Sequence, residues 1–370
     1  MKRRRFFGLA AAAVAGAAGN GALSTALAAP ALTQGKRELK MVTAWPKGFP
    51  GLGIAAERLA RAIGEATEDK IAVKVHAAGE LVSAREVFEV VASGAADIYH
   101  APDYYFQDRS RAFNFFTTVP FGMTAGEMDA WIYYGDGQKL WDDVSGGFGI
   151  KPFLAGNSGV QAFGWFKKEI KSADDLRGVR FRVSGLGGEV LRTLGVETVT
   201  LPPNDILMAL ESDVIDAAEW VGPWNDLALG FHRVAKHYYF PGVLEPSAAI
   251  CCGFNRKLWD SLAAGHKRIV AEVIAADNSR MQAEFAANNN EALFTLRKEH
   301  AIRPRMLPDS LVRRLGGAAA EIVAAVGNTD ATTRKVYESF TGFRKKAMVW
   351  SGVANQAVLA ARQLFFKSGG

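Results

Sequence analysis

Asp216-Ala217-Ala218-Glu219-Trp220-Val221-Gly222-Pro223 reads as a short strand that carries a carboxylate and an indole to a turn made by Gly222 and Pro223. In open α/β sheets ligands gather at the carboxyl ends of strands, so Glu219 and Trp220 stand where a small molecule or a cation would be met. A solvated rim glutamate would look the same in isolation, so the surrounding chain has to separate the two.

Upstream of this stretch, 163–167 and 179–183 alternate as strands, 185–194 opens on glycine and continues as a helix, 198–201 is a strand and 204–211 a helix. Ser172, with acids two and three residues on, caps a short helix. Alternation in 179–183 puts Arg180 and Arg182 on one face. Arg182 lies nearer the end of its strand; Arg180, earlier, reads as half of a structural ion pair. Farther back come a strand at 39–44, a Gly/Pro loop at 45–51, a helix marked by Leu52, Ala55, Ala56, Leu59 and Ile63, a strand at 71–75, a helix around Val87 and Val91, and a strand at 97–100. Such alternation of strand and helix implies crossover connections and mostly parallel sheets.

The aromatics between 104 and 141 are mostly core by their spacing, but Tyr104 and Tyr105 follow a strand and a proline and are candidates to line a pocket. Downstream, 243–254 returns to the first unit, and a long helix covers 256–300 with a possible break near Gly265. In the last segment Trp350, Val353, Ala357, Ala361 and Leu364 form one apolar stripe that needs a cover, either the protein's own body or a second copy. The expected organisation is a first lobe of 37–157 plus 252–335, a second lobe of 158–251, and a helical extension at 336–370.

The chain starts Met1-Lys2-Arg3-Arg4-Arg5-Phe6-Phe7, runs on through Ala, Gly and Leu, and reaches Ala26-Leu27-Ala28 before Pro30. Basic start, apolar middle and small-residue exit read as a signal peptide over 1–28, of the twin-arginine type. Its four basic residues supply most of the formal net charge of +6, leaving +2 for the remainder. The basic balance is therefore no sign of a nucleic-acid partner. Cys251 and Cys252 are the only cysteines and are adjacent, which suits two small buried side chains better than a disulfide with each other.

Catalytic signatures are missing. The six histidines are scattered without zinc-site spacing, 156–159 does not have the glycine offsets of a nucleophile elbow, and 185–188 lacks the third glycine of a dinucleotide fingerprint. A set of polar groups remains: Asn157 and Gln161 in a loop entering a strand, Arg182 near a strand end, and Glu219 with Trp220 at another. An arginine fork suits a carboxylate. Glu219 beside that anion would repel it unless a hard cation lay between, held by oxygens of Gln161, Glu219 and a backbone carbonyl such as that of Trp220.

Several motifs carry a family likeness: Trp45-Pro46-Lys47 with Phe49-Pro50-Gly51-Leu52-Gly53, Val119-Pro120-Phe121-Gly122, Gly156-Asn157 with Gln161, Gly164-Trp165-Phe166, Asp174-Asp175-Leu176-Arg177-Gly178, and 215–223. On these the chain resembles the periplasmic solute-binding subunits of tripartite ATP-independent periplasmic (TRAP) transporters, within them the subgroup for 2-oxo acids and related monocarboxylates. The resemblance implies an α/β bilobal periplasmic binding protein fold, with two mixed, mostly parallel sheets flanked by helices, a long connecting helix and a C-terminal helix. It implies a periplasmic receptor that binds a 2-oxo or 2-hydroxy acid such as pyruvate or lactate and delivers it to membrane subunits. Arg182 would match the arginine that pairs with the substrate carboxylate, and Gln161, Glu219 and the Trp220 carbonyl the ligands of a bridging sodium or calcium ion. Asn157 and Tyr104 or Tyr105 would complete the pocket, and Glu245 is a further candidate for the metal shell. A C-terminal helix exchanged between two chains would account for the stripe from Trp350 to Leu364. The rival expectation is a metal-assisted lyase or decarboxylase acting on the same acids, for which no base or nucleophile can be named.

Overall fold

The computed structural model describes residues 35–366. The leader expected at 1–28 and positions 367–370 of the C-terminal extension lie outside them. The strands, in chain order, are β1 (Arg37–Thr43), β2 (Ile71–His76), β3 (Ile98–Ala101), β4 (Ile150–Asn157), β5 (Gly164–Phe166), β6 (Arg180–Arg182), β7 (Glu197–Val199), β8 (Ala217–Ala218), β9 (His237–Phe240), β10 (Ala249–Asn255) and β11 (Pro304–Met306). They form two sheets, ordered β2-β1-β3-β10-β4 and β11-β9-β5-β8-β6-β7.

Each sheet holds one reversed strand. β10 is antiparallel to β3 and β4, and β5 is antiparallel to β8 and β9, while the other pairings are parallel. The reversed strands are the two that the chain enters directly from the other sheet, β4 passing into β5 and β9 into β10. Strands linked by crossover helices all finish at the cleft, whereas a strand arriving from across the cleft must start there and run away from it. The expectation of mixed, mostly parallel sheets is met for this topological reason.

In the helix Leu52–Ala66, Leu52, Ala55, Ala56, Leu59 and Ile63 are buried on one stripe. On its other side Arg58 pairs with Asp277 and Glu284, both at 2.6 Å, fastening it to the helix Ala264–Lys298. That helix of 35 residues spans about 50 Å. It is preceded by a separate helix, Arg256–Ser261, capped by the Asn255 side chain on Leu258 N. The break falls at Leu262 and Ala263, both extended, and Gly265 lies inside the second helix.

Two further expectations are corrected. The strand expected over 216–220 is only Ala217–Ala218, because the chain leaves the ladder to make the turn, although Glu219 N still donates to Arg182 O at 2.9 Å. The segment 252–335 was expected with the first lobe; instead β11 pairs with β9 of the second sheet, and Leu311, Leu315 and Ala319 of the helix Asp309–Gly327 are buried in the second core. The long helix carries the chain back past the second sheet, and its free edge at β9 takes the next extended residues.

The C-terminal helix Ala331–Ser351 starts in the first core, where Phe340 packs edge-on against Trp131 at 5.3 Å and Val336 is buried. It then continues through a π-helical turn at Gly352–Gln356 into Ala357–Phe365 with its apolar side chains in solvent. Cys251 and Cys252 are both buried in β10 without a disulfide, as their adjacency suggests. Among the described residues no helix is long and apolar enough to cross a membrane.

Candidate ligand and cation site

Two extended crossings join the sheets, 158–163 after β4 and 241–248 after β9. They are bonded to one another: Ser158 N donates to Ala248 O at 3.0 Å, Ala248 N to Ser158 Oγ at 3.1 Å, and Gly242 N to Gln161 O at 2.9 Å. A Cβ on Gly242 would lie 2.5 Å from Gln161 O, so only glycine permits that approach. The crossings thereby bring Gln161 and Glu245 beside Glu219, which leaves the end of β8, and Arg182, which ends β6.

All four side chains are buried, none more than 3 % exposed. With its Nε2 donated to Ser158 Oγ at 3.0 Å, Gln161 turns its Oε1 onto Glu219 Oε1 at 2.8 Å and Glu245 Oε2 at 3.3 Å. The reversed amide would instead donate Nε2 to both carboxylates and accept from Ser158 Oγ. Glu245 Oε1 has no hydrogen-bond partner. In the first orientation the amide oxygen and two carboxylate oxygens converge with no donor between them, which is the donor set of a hard cation. Among the described residues no cluster of three or more His, Cys, Asp or Glu side chains offers another metal centre.

Arg182 is the local positive charge. Its Nη1 donates to the Glu219 carbonyl and lies 3.4 Å from Glu219 Oε2, Nη2 donates to Ser184 Oγ at 3.1 Å, and Nε to Leu201 O at 3.2 Å. The guanidinium carbon sits 4.8 Å from the Trp220 ring centroid, a cation–π contact. One guanidinium does not offset two buried carboxylates. Burial, and then the charge of Glu245, push Glu219 well above the ordinary carboxylate range despite Arg182. Burial pushes Glu245 up to about 8, against the opposing pull of Arg182. Desolvation outweighs the ion pair, and a bound cation would supply the missing positive charge.

A small cavity of about 20 Å³ adjoins these groups, lined by Arg182, Gln161, Trp220, Tyr104 and Tyr105 among others. Tyr104 and Tyr105 come from the first lobe, edge-to-face with centroids 5.1 Å apart, and Arg182 and Trp220 from the second. Burial raises both phenols, Tyr105 to about 12, so both stay protonated at neutral pH. Asn157 is not brought to the cavity wall. Its Oδ1 accepts from Gly159 N at 2.9 Å and its Nδ2 donates to Ser247 Oγ at 3.4 Å, so it cross-links the two crossings. Arg180 pairs with Asp216 at 2.7 Å away from the cavity, as its earlier place in the strand suggests.

Sequence reasoning missed Ser158, Trp45, Leu52 and Ile250 on the cavity wall. Ser158 orients the Gln161 amide, and its position three residues before Gln161 was the available signal. Trp45 follows β1 at the carboxyl end, the same rule that singled out Trp220.

A model of the bacterial extracellular solute-binding protein family 7 (DctP) matches residues 41–310. The chain belongs to this family. It is thus a TRAP-type periplasmic solute-binding protein, a receptor and not an enzyme. It is 36% identical over 316 residues to a monocarboxylate 2-oxoacid-binding periplasmic protein of Nostoc sp. (strain PCC 7120), covering 85% of this chain and 86% of that one. A TRAP solute-binding protein of Pseudoalteromonas atlantica T6c, solved with bound sodium and pyruvate, is 34% identical with a TM-score of 0.84, covering 88% of this chain and 99% of that one. One of Colwellia psychrerythraea, with calcium and pyruvate, is 32% identical at 0.86 over 88% of this chain and 99% of its own. A third, from Bordetella bronchiseptica RB50, is 31% identical at 0.86 over 89% of this chain and 98% of its own. It was solved as a mixed-occupancy dimer with calcium and picolinate in one site. The bilobal architecture of this DctP-family chain is that of these solved proteins.

Proposed function

We propose that this protein captures a small 2-oxo or 2-hydroxy monocarboxylate, of the size of pyruvate or lactate, together with a sodium or calcium ion, and hands it to the membrane subunits of a TRAP transporter. The observation that carries the reading is the meeting of the Gln161 side-chain amide with Glu219 Oε1 and Glu245 Oε2, all buried, beside Arg182 and the cavity that Gln161 and Arg182 line. Gln161, Glu219, Glu245 and the Trp220 carbonyl would hold the ion, which supplies positive charge to a carboxylate that two glutamates would otherwise repel. Arg182 neutralises the ligand carboxylate, Tyr104 and Tyr105 close the cavity from the first lobe, and the small volume selects short acids. Asn157 acts on the pocket by joining the two crossings.

Calorimetric titration of the protein lacking its leader tests this. Pyruvate, longer 2-oxo acids and lactate are titrated in metal-free buffer and again with sodium or calcium restored. Binding that needs one of the cations is expected; no binding of any of these acids in either buffer would remove the substrate class.

The finer expectations belong to the same reading. Residues 1–28 direct export by the twin-arginine route and are removed. Residues 37–157 with most of 252–335 form one lobe and 158–251 the other. The outer part of the C-terminal helix pairs with a second copy, since Trp350, Val353 and Leu364 are each at least two-thirds exposed, an apolar face that water disfavours.

A further inference from the structure

We propose that Arg111 and Glu189 form a latch across the mouth of the cleft that sets the rate of ligand release. The latch presupposes the reading of the cleft as a ligand site. Arg111 opens the first-lobe 3-10 helix Arg111–Asn114, whose Ala112 and Phe113 are buried in the first core, seven residues after Tyr104. Glu189 is on the second-lobe helix Gly185–Thr193, which begins three residues after Arg182. Arg111 Nη2 lies 2.6 Å from Glu189 Oε1. Gln107 Oε1 accepts from Arg111 Nη1 at 3.0 Å and from Asn114 Nδ2 at 3.3 Å, so the first lobe holds the guanidinium ready on its own side.

Ligand groups are sealed from solvent in this closed form, with Arg182, Glu219 and Gln161 each no more than 2 % exposed. Entry and exit therefore require the lobes to part, and parting breaks this pair. Among the described ion pairs the others lie within one lobe or fasten the first lobe to the long helix, as Arg58 does with Asp277 and Glu284. Side-chain exposures of 29% and 24% leave the pair partly screened, strong enough to bias closure and weak enough to break in each cycle. The apposed surfaces support the same motion: a Cβ on Gly185 would be 3.6 Å from the Tyr104 ring, so the start of the Glu189 helix rests on the pocket tyrosine. Arg182 Nη2 donates to Ser184 Oγ, at the start of that helix, so the pocket arginine is fastened to it.

Stopped-flow tryptophan fluorescence, reporting Trp45 and Trp220 in the cavity wall, would follow release of pyruvate in the cation found to support binding. Glu189→Gln and Arg111→Gln should each speed release about two- to fivefold with little change in the association rate. The double variant should be no faster than either single one, the exchange Arg111→Glu with Glu189→Arg should recover slow release, and high salt should shrink the wild-type advantage. Unchanged release rates, or additive single effects, would overturn the latch. A second arm needs no ligand: spin labels at Lys74→Cys and Lys168→Cys, both exposed and in different lobes, should show a longer or broader distance distribution in Glu189→Gln than in the wild type. If pyruvate fails to bind the wild type while the labels separate in the variant, the substrate reading falls and the latch stands; identical distributions refute the latch.

Discussion

Arg182 carries the most weight of any side chain here, because it is the single guanidinium facing the Glu219–Glu245 pair among the described residues. Arg182→Ala should lower pyruvate affinity about a hundredfold, roughly 3 kcal/mol, by leaving buried anions unpaired. Calorimetry measures this, with a thermal melt to separate lost binding from lost packing on Trp220. Asp226 gives a pH prediction at the same scale. Its Oδ2 accepts from Trp165 Nε1 at 2.9 Å and Tyr238 Oη at 2.8 Å, and burial raises it to about 6 in spite of those donors. The folded state then binds the proton more tightly than the unfolded one, so the stabilisation is full below about pH 4 and is lost as pH rises through about 6. Asp226→Asn should flatten that fall, worth about 3 kcal/mol, in urea midpoints taken between pH 4 and 7. Glu219, Trp220 and Arg182 come together at strand ends that period-two alternation locates, and Gln161 joins them from the loop entering the next strand. Asn157 sits equally well by sequence but spends its amide on Gly159 and Ser247, a choice that depends on how near the second crossing passes.

At the scale of elements, the crossings 158–163 and 241–248 make the site, and their contact at Gly242 is the tightest point between them. Gly242→Ala should push the Glu245 loop off Gln161 and cut cation affinity at least tenfold, of order 1.4 kcal/mol. Titration with the cation alone, beside a melting curve near that of the wild type, distinguishes this from unfolding. Helices and strands were recognisable from apolar spacing, but their ends were not. The stretch 216–220 reads as five strand residues, yet the ladder closes after Ala218 because the turn at Gly222 takes the backbone away. The break at Leu262 and Ala263 has no glycine or proline to announce it, and its neighbour Gly265 misleads, since burial in the helix tolerates it there.

For the whole molecule, the outer C-terminal helix presents Met348, Val349, Trp350, Val353, Val358, Leu364 and Phe365 to solvent. Truncation after Lys346 should convert a dimer to a monomer in light-scattering measurements while leaving pyruvate binding in place, because the cavity wall is built before that point. A full-length chain that is monomeric at all concentrations would rule out the paired helix.

The sequence by itself determined the alternation of strand and helix, the two-lobed family to which the chain belongs, and the residue types of the site, because these follow from local periodicity and short motifs. Only the tertiary structure decided which sheet received β11, that Asn157 bonds Gly159 and Ser247 across the two crossings, and that Glu245 meets Glu219 across Gln161. Those outcomes depend on contacts between residues tens of positions apart, up to 90 for Asn157 and Ser247, which no local pattern encodes: the reach of a 35-residue helix and the close passage of two crossings at a glycine.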